Sequence, residues 1–317
     1  MISKILEPEV KLLALDFSNL IIRHAANPYG GAEDRQGRSV NGPVGALTQA
    51  IRLVESEKPT HLLIARDGSR GDSFRREIDP GYKAHRPDAD DDIRHQFALS
   101  YQALELLGWP VLDEHAHEAD DILASAAKRF EGRTVIVTGD KDLLACAAPD
   151  VRITLLRPGG SVECGPKEAE EIFGVPPELI QDYKALVGDS SDGIRGIEGI
   201  GPKRALSLLG EYGDLRRLLI AARSGETLSG PGISPAVAQK VVDGIESAEI
   251  SYRLAGLVDD LEVDFDSLRC PTLPDEGSHG PALEEIGLGA LRAKLPGAQP
   301  PKKREPLPLD EAFNKLF

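Results

Sequence analysis

Residues 134–142 read TVIVTGDKD: a short apolar, β-branched run that stops at one acid, Asp140, and adds another, Asp142, two places on. The pattern of apolar run then acid occurs twice upstream, in KLLALDF (11–17), which carries Asp16, and in THLLIARD (60–67), which ends on Asp67. Runs this short without polar alternation suit strands covered on both faces. Between them GPVGALTQAIRLVES (42–56), SYQALELL (100–107) and DDILASAAKRF (120–130) space their apolar residues as helices do. The alternation predicts an α/β fold with a mostly parallel central sheet flanked by helices. The ligand crevice of such a sheet lies at the carboxyl ends of its strands, where these acids stand.

Outward from this core the character of the chain changes. Residues 68–97 are polar and charged, and read as a surface loop or a helical arch. From about 176 to 260 the reading is helical, with PELIQDYKALVG, PKRALSLLGEYG and DLRRLLIAAR divided by Gly and Pro. The last part is rich in Pro and Gly and ends in GAQPPKKREPLPLDEAFNKLF. The expected division is a core over 1–187 with the arch at about 68–97, a helical subdomain over 188–264, and an extension and tail over 265–317. No internal repeat is evident.

With 317 residues, 41% of them hydrophobic, the chain can bury a sizeable core. Its apolar runs fall far short of the roughly 18 residues of a membrane span. No signal-peptide pattern opens it, so a cytoplasmic protein is expected. Cys146, Cys164 and Cys270 are far apart and odd in number, which suggests reduced thiols rather than disulfides or a zinc site. A formal net charge of −15 argues at first against a nucleic-acid partner. The argument fails if many of the acids converge on metal ions that cancel their charge locally.

The acids that could converge are numerous. HEADD adds Glu118, Asp120 and Asp121 to the strand-end set, and GDSSD adds Asp189 and Asp192. Glu118 and Asp121 share a face at a helix start, and an extended backbone points Asp140 and Asp142 to one side. So dense a set cannot stay ionised without cations. Without accompanying His or Cys spacing, the all-oxygen set suits Mg²⁺ or Mn²⁺. Two such ions would bind a phosphodiester, lower the pKa of a water and stabilise the leaving oxygen. His115 and His117 read as loop residues. Ser190 and Ser191 lack an evident base.

Next to GDSSD stands GIEGIGPKRA, which fits a helix-hairpin-helix turn. Gly199 and Gly201 permit unusual backbone geometry, and Pro202 opens the second helix. The amides of that helix start, with Lys203 and Arg204, would hold a DNA phosphate without reading bases.

Taken together, LDFSNLIIR, SFRREIDPGYKAHR, HEADDILA, VTGDKDLLAC and GDSSDGIRGIEGIGPKRA resemble the flap endonuclease and 5′-nuclease family, over about residues 11–260 and in the family's order. The resemblance implies a two-metal site. Asp16, Asp67, Glu118 and Asp120 match the first metal cluster, Asp140, Asp189 and Asp192 the second, and Asp121 and Asp142 lie near both. It also implies that Tyr82, Lys83 and Arg86 form the basic face of a helical arch with Arg75 beside them. Lys83 and Arg86, three apart, would share a helical face and contact the scissile phosphate. The family's hairpin often holds K⁺ through backbone carbonyls, and FNKLF at the end of the chain suits a docking peptide for a sliding clamp. The expected protein is a monomer that removes 5′ flaps and degrades DNA from 5′ ends.

Departures from the family are few. Arg66 precedes Asp67 where an apolar residue is usual, and Gly193 and Arg195 replace Asn and Pro in SDGIRG. The acidic run DADDDIRHQ reads as a solvated face. Two alternatives stay open, a metal-dependent ribonuclease on a related acidic α/β fold and a catalytically dead protein that binds DNA structures.

Overall fold

The computed structural model describes residues 9–27, 30–68 and 73–298. Among these residues six strands form one sheet: β1 (Lys11–Asp16), β2 (His61–Arg66), β3 (Val111–Asp113), β4 (Arg133–Thr138), β5 (Val151–Arg157) and β6 (Gly160–Cys164). Their order is β3-β2-β1-β4-β5-β6, with β1 to β5 parallel and β6 antiparallel to β5. The chain runs outward from β1 to one edge, then returns to the other side of β1 with β4. The strand order therefore reverses between β1 and β4, which opens a crevice above their carboxyl ends.

Period-two alternation divides the apolar residues of β1 between two cores. Leu12 and Ala14 face α5 (Ala119–Arg129), whose Ile122, Leu123 and Ala126 are buried against the sheet. Leu13 and Leu15 face the opposite layer, made by α1 (Phe17–Ala25), α2 (Asn41–Glu57) and α4 (Asp91–Leu106). The short α3 (Phe74–Ile78) precedes α4. After the sheet come α6 (Pro166–Phe173), α7 (Ile180–Val187), α8 (Pro202–Tyr212), α9 (Leu215–Arg223), α10 (Pro235–Asp243) and α11 (Ile245–Ala255). Leu186, Leu208, Leu218 and Val241 carry the first core into these helices.

The acidic run at the end of the expected arch is exposed, as a solvated face should be, and it also starts α4: Asp90 accepts the Ile93 N–H at 2.8 Å, and Asp91 and Asp92 fill the first turn. Carboxylates there complement the free amides and the helix dipole. The extension after residue 265 adds to the core, because α12 (Glu276–Glu285) and α13 (Gly289–Arg292) bury Leu283, Leu288 and Leu291 in the second core, and the expected tail from residue 299 on lies outside the described residues. FNKLF lies outside the described residues. Among the described residues no helix is long and apolar enough to cross a membrane. Cys146, Cys164 and Cys270 are free thiols.

Candidate active site

The acids gather where the strand order reverses. Asp16 ends β1 and caps α1, accepting the Asn19 N–H at 3.0 Å and the Thr138 hydroxyl at 2.7 Å. Asp67 accepts the Ala119 N–H at 3.0 Å, which ties the end of β2 to the start of α5. Burial, then the nearby Asp67, push the Asp16 carboxyl up to about 7. Asp120 is raised well above the ordinary carboxylate range by burial and by Asp16, Asp140, Asp67 and Glu118. Asp142 is pushed up to about 6 by burial and by Asp140. Asp140 accepts the Asp142 N–H at 2.9 Å, which fixes the turn after β4.

Cations close over the rest of the set. Lys83 Nζ lies 2.7 Å from Glu118 Oε2 and 3.7 Å from Asp192 Oδ2, and Arg86 Nη2 donates to Asp192 Oδ1 at 2.5 Å. The Tyr82 hydroxyl, on a buried ring, donates to Glu118 at 3.1 Å. Lys83 and Arg86 do not share a helical face as expected: residues 79–86 form turns, and Lys83 has φ +49. A non-glycine residue is held in that left-handed region only when its surroundings determine it. Here the Lys83 N–H donates to the Asp192 carbonyl at 2.8 Å.

A further cation, Lys184 of α7, escapes the sequence reading. It is buried, bonds to Asp142 and stands 2.8 Å from Asp189. Burial opposes its charge, but these two carboxylates outweigh that and raise its pKa. Asp189 in turn is lowered to about 2, because bonds from Lys184 and Ser191 overcome the effect of burial. A lysine one turn before GDSSD was the available signal, obscured by the apolar spacing of its helix.

Asp121 and Arg75 stand elsewhere. Asp121 is fully buried and accepts two bonds from Arg75, at 2.8 and 2.6 Å, together with the Glu118 and Val258 amides. Arg75 also donates to the Leu254 and Gly256 carbonyls and is 2% exposed. Neither is placed for the role expected of it. Asp121 has spent its oxygens on packing, and Arg75 joins α5 to the chain after α11 instead of offering its charge to DNA.

The remaining acids fit hard divalent ions by donor type and by the burial and mutual repulsion that raise Asp16 and Asp120. Among the described residues no three His, Cys, Asp or Glu side chains close on one point tightly enough to hold an ion as they stand. Lys83, Arg86 and Lys184 stand among these acids and pair with Glu118, Asp142, Asp189 and Asp192.

Beyond Asp192 the chain forms the glycine hairpin between α7 and α8. Pro202 is the first residue of α8, as expected, and Lys203 and Arg204 are exposed beside it. Gly199 has φ +75, and a Cβ there would lie 2.5 Å from Lys240 Nζ. Gly201 has extended backbone, φ −96, with open space around it.

A crevice at the carboxyl ends of the central strands that offers oxygen ligands to hard cations, with ammonium and guanidinium groups beside them, is the equipment of a metal-dependent nuclease. The chain belongs to the 5′-3′ exonuclease family: residues 11–174 match its N-terminal resolvase-like domain and residues 175–275 its C-terminal SAM fold. It is 37% identical over 251 residues to the thermostable DNA polymerase I of Thermus filiformis, covering 77% of this chain but 29% of that protein. The fold resembles the T5 D15 protein co-crystallized with metal ions, with TM-score 0.63 and 22% identity over 78% of this chain and 90% of that one. It also resembles flap endonuclease-1 from Methanococcus jannaschii, with TM-score 0.57 and 18% identity over 90% and 91% of the two chains.

Proposed function

We propose that the protein is a structure-selective nuclease that cuts DNA at 5′ flaps and degrades it from 5′ ends, in replication and repair. One observation carries the reading: Lys83 and Arg86 are held by Glu118 and Asp192, beside a group of carboxyls at the sheet's switch point. A phosphodiester arriving with divalent cations satisfies both sets at once, since its oxygens replace the carboxylates as partners of the two basic residues.

Asp16, Asp67, Glu118 and Asp120 would hold one ion of a Mg²⁺ or Mn²⁺ pair and Asp140, Asp189 and Asp192 the other, with Asp142 near both. Such ions, when bound, supply a water of lowered pKa and stabilise the departing oxygen. The chain's own residues do the positioning. Thr138 orients Asp16, and Lys184 keeps Asp142 and Asp189 in place. Lys83 and Arg86 neutralise charge that grows on the phosphate. Hydrolysis breaks the bond to O3′ and leaves a 5′-phosphate on the product.

The amides at the start of α8, with Lys203 and Arg204, hold the strand at a distance from the cut. Cleavage of a 5′-flap duplex, labelled at each end in turn, with Mg²⁺, Mn²⁺ or chelator, tests the reading. Cutting near the junction that needs the metal and vanishes in Asp140→Asn supports it. Binding of the flap with no cleavage under any metal condition overturns it, and preference for an RNA strand favours a ribonuclease instead.

A further inference from the structure

The hairpin of this family is expected to gather a monovalent cation on its backbone carbonyls, yet in this chain four consecutive carbonyls already accept donors from the protein. The Ser247 hydroxyl donates to Gly196 at 2.5 Å, and the Ile200 N–H donates to Ile197 at 2.9 Å. Lys240 Nζ donates to the Glu198 carbonyl at 3.3 Å, and the Arg204 guanidinium donates to that of Gly199. Two of these donors are cations. A free K⁺ would have to approach carbonyl oxygens that already face an ammonium and a guanidinium, whose like charge opposes it.

The lysine is built into the turn. Its side chain crosses Gly199 so closely that a Cβ there would meet Nζ at 2.5 Å and Cε at 3.0 Å. The missing side chain at Gly199 thus serves two purposes, the positive φ of the turn and the passage of Lys240. Lys240 comes from α10, so the charge is delivered from a different helix to the one that follows the hairpin.

We propose that the Lys240 ammonium, with Arg204 beside it, is a tethered replacement for the hairpin's monovalent cation. The positive charge that draws a DNA phosphate toward the start of α8 is then covalently part of the chain. Its strength follows total ionic strength and is indifferent to which monovalent cation is present.

Two measurements on the full chain test this. The first needs no DNA: thermal melting in KCl and in tetramethylammonium chloride at equal ionic strength. Wild type should melt at the same temperature in both, whereas Lys240→Met, which keeps the stem and removes the charge, should melt about 2–4 °C higher in K⁺. The second rests on the function proposed above and follows binding of a labelled flap duplex in Ca²⁺ by fluorescence anisotropy. Wild-type affinity should match in the two salts. Lys240→Met should bind roughly tenfold more weakly in tetramethylammonium and recover in K⁺, the scale of one charge-assisted hydrogen bond.

Selective stabilisation of wild type by K⁺ overturns the proposal, as does a Lys240→Met protein that responds to neither salt. If wild type binds no flap at all, the nuclease reading fails while the melting comparison still decides this one.

Discussion

Lys83 and Asp192 are joined twice, by a 2.8 Å bond from the Lys83 N–H to the Asp192 carbonyl and by a 3.7 Å approach of ammonium to carboxylate. The turn that carries the basic residues is thereby laid on the loop that carries the acids. Gly193, next along that loop, has φ +77, and a Cβ on it would lie 2.8 Å from the Gly81 carbonyl.

Gly193→Ala therefore should push the two segments apart while leaving every acid in place. Strain of about 1–2 kcal/mol is the expected scale for an alanine held at positive φ. Faster proteolysis within residues 79–86, with a roughly tenfold loss in kcat/KM on a flap substrate, is the expected result. An unchanged cleavage pattern and rate would show that the close approach has no bearing on catalysis.

Lys83→Met removes the ammonium and keeps the stem. Loss of a donor aimed at developing charge costs about 10²–10³ in kcat, and flap affinity measured in Ca²⁺ should fall much less. A change confined to KM would place Lys83 in ordinary substrate binding.

For Arg75 and Asp121 the expected effect is on the fold. Arg75→Met leaves a fully buried carboxylate without its partner, a change that costs about 3–5 kcal/mol. Denaturant unfolding in the presence of chelator should record it as a lower midpoint. Equal stability with lost metal binding would return Asp121 to the metal site.

Acidity gives an independent handle on the clustered carboxyls. Asp16 and Asp142, raised to about 7 and about 6, bind protons more tightly in the folded chain than in the unfolded one. The metal-free protein should thus lose stability as pH rises from about 4 through 7. Asp189, lowered to about 2, has the opposite sign: its contribution is present above the ordinary carboxylate range and is lost as pH falls toward 2. Melting in chelator across pH 5 to 8 should show the decline, and Mg²⁺ at pH 8 should reverse it. A flat profile would mean that neither burial nor the neighbouring carboxylates raise these groups in solution.

How much of this was legible in the sequence depended on whether the signal was local. Apolar runs ending in Asp16, Asp67 and Asp140 carried both the sheet and the site, because strand ends and ligand crevice coincide in a parallel fold. Pro202 at the head of α8 was equally legible, since proline suits the first helical turn. Lys184 was not, because a buried cation on an amphipathic helix looks like a polar interruption until its partners are located. Asp121 misled for the related reason that HEADD states which residues are acidic, whereas the arginine that claims one of them lies far upstream. The leucines of α12 and α13 were hidden by Pro281 and the glycines around them, which read as breakers when the receiving surface is unknown.

Those same leucines impose an order of events on biosynthesis. The layer formed by α2 and α4 emerges early, yet Leu283, Leu288 and Leu291, which complete its core, are made about 180 residues after α4 ends. At about 5–20 residues per second the nascent chain carries that apolar face uncovered for roughly 10–35 s. The half of the molecule translated first is thus sealed last, and the ribosome-bound intermediate is the form most exposed to chaperones and to aggregation.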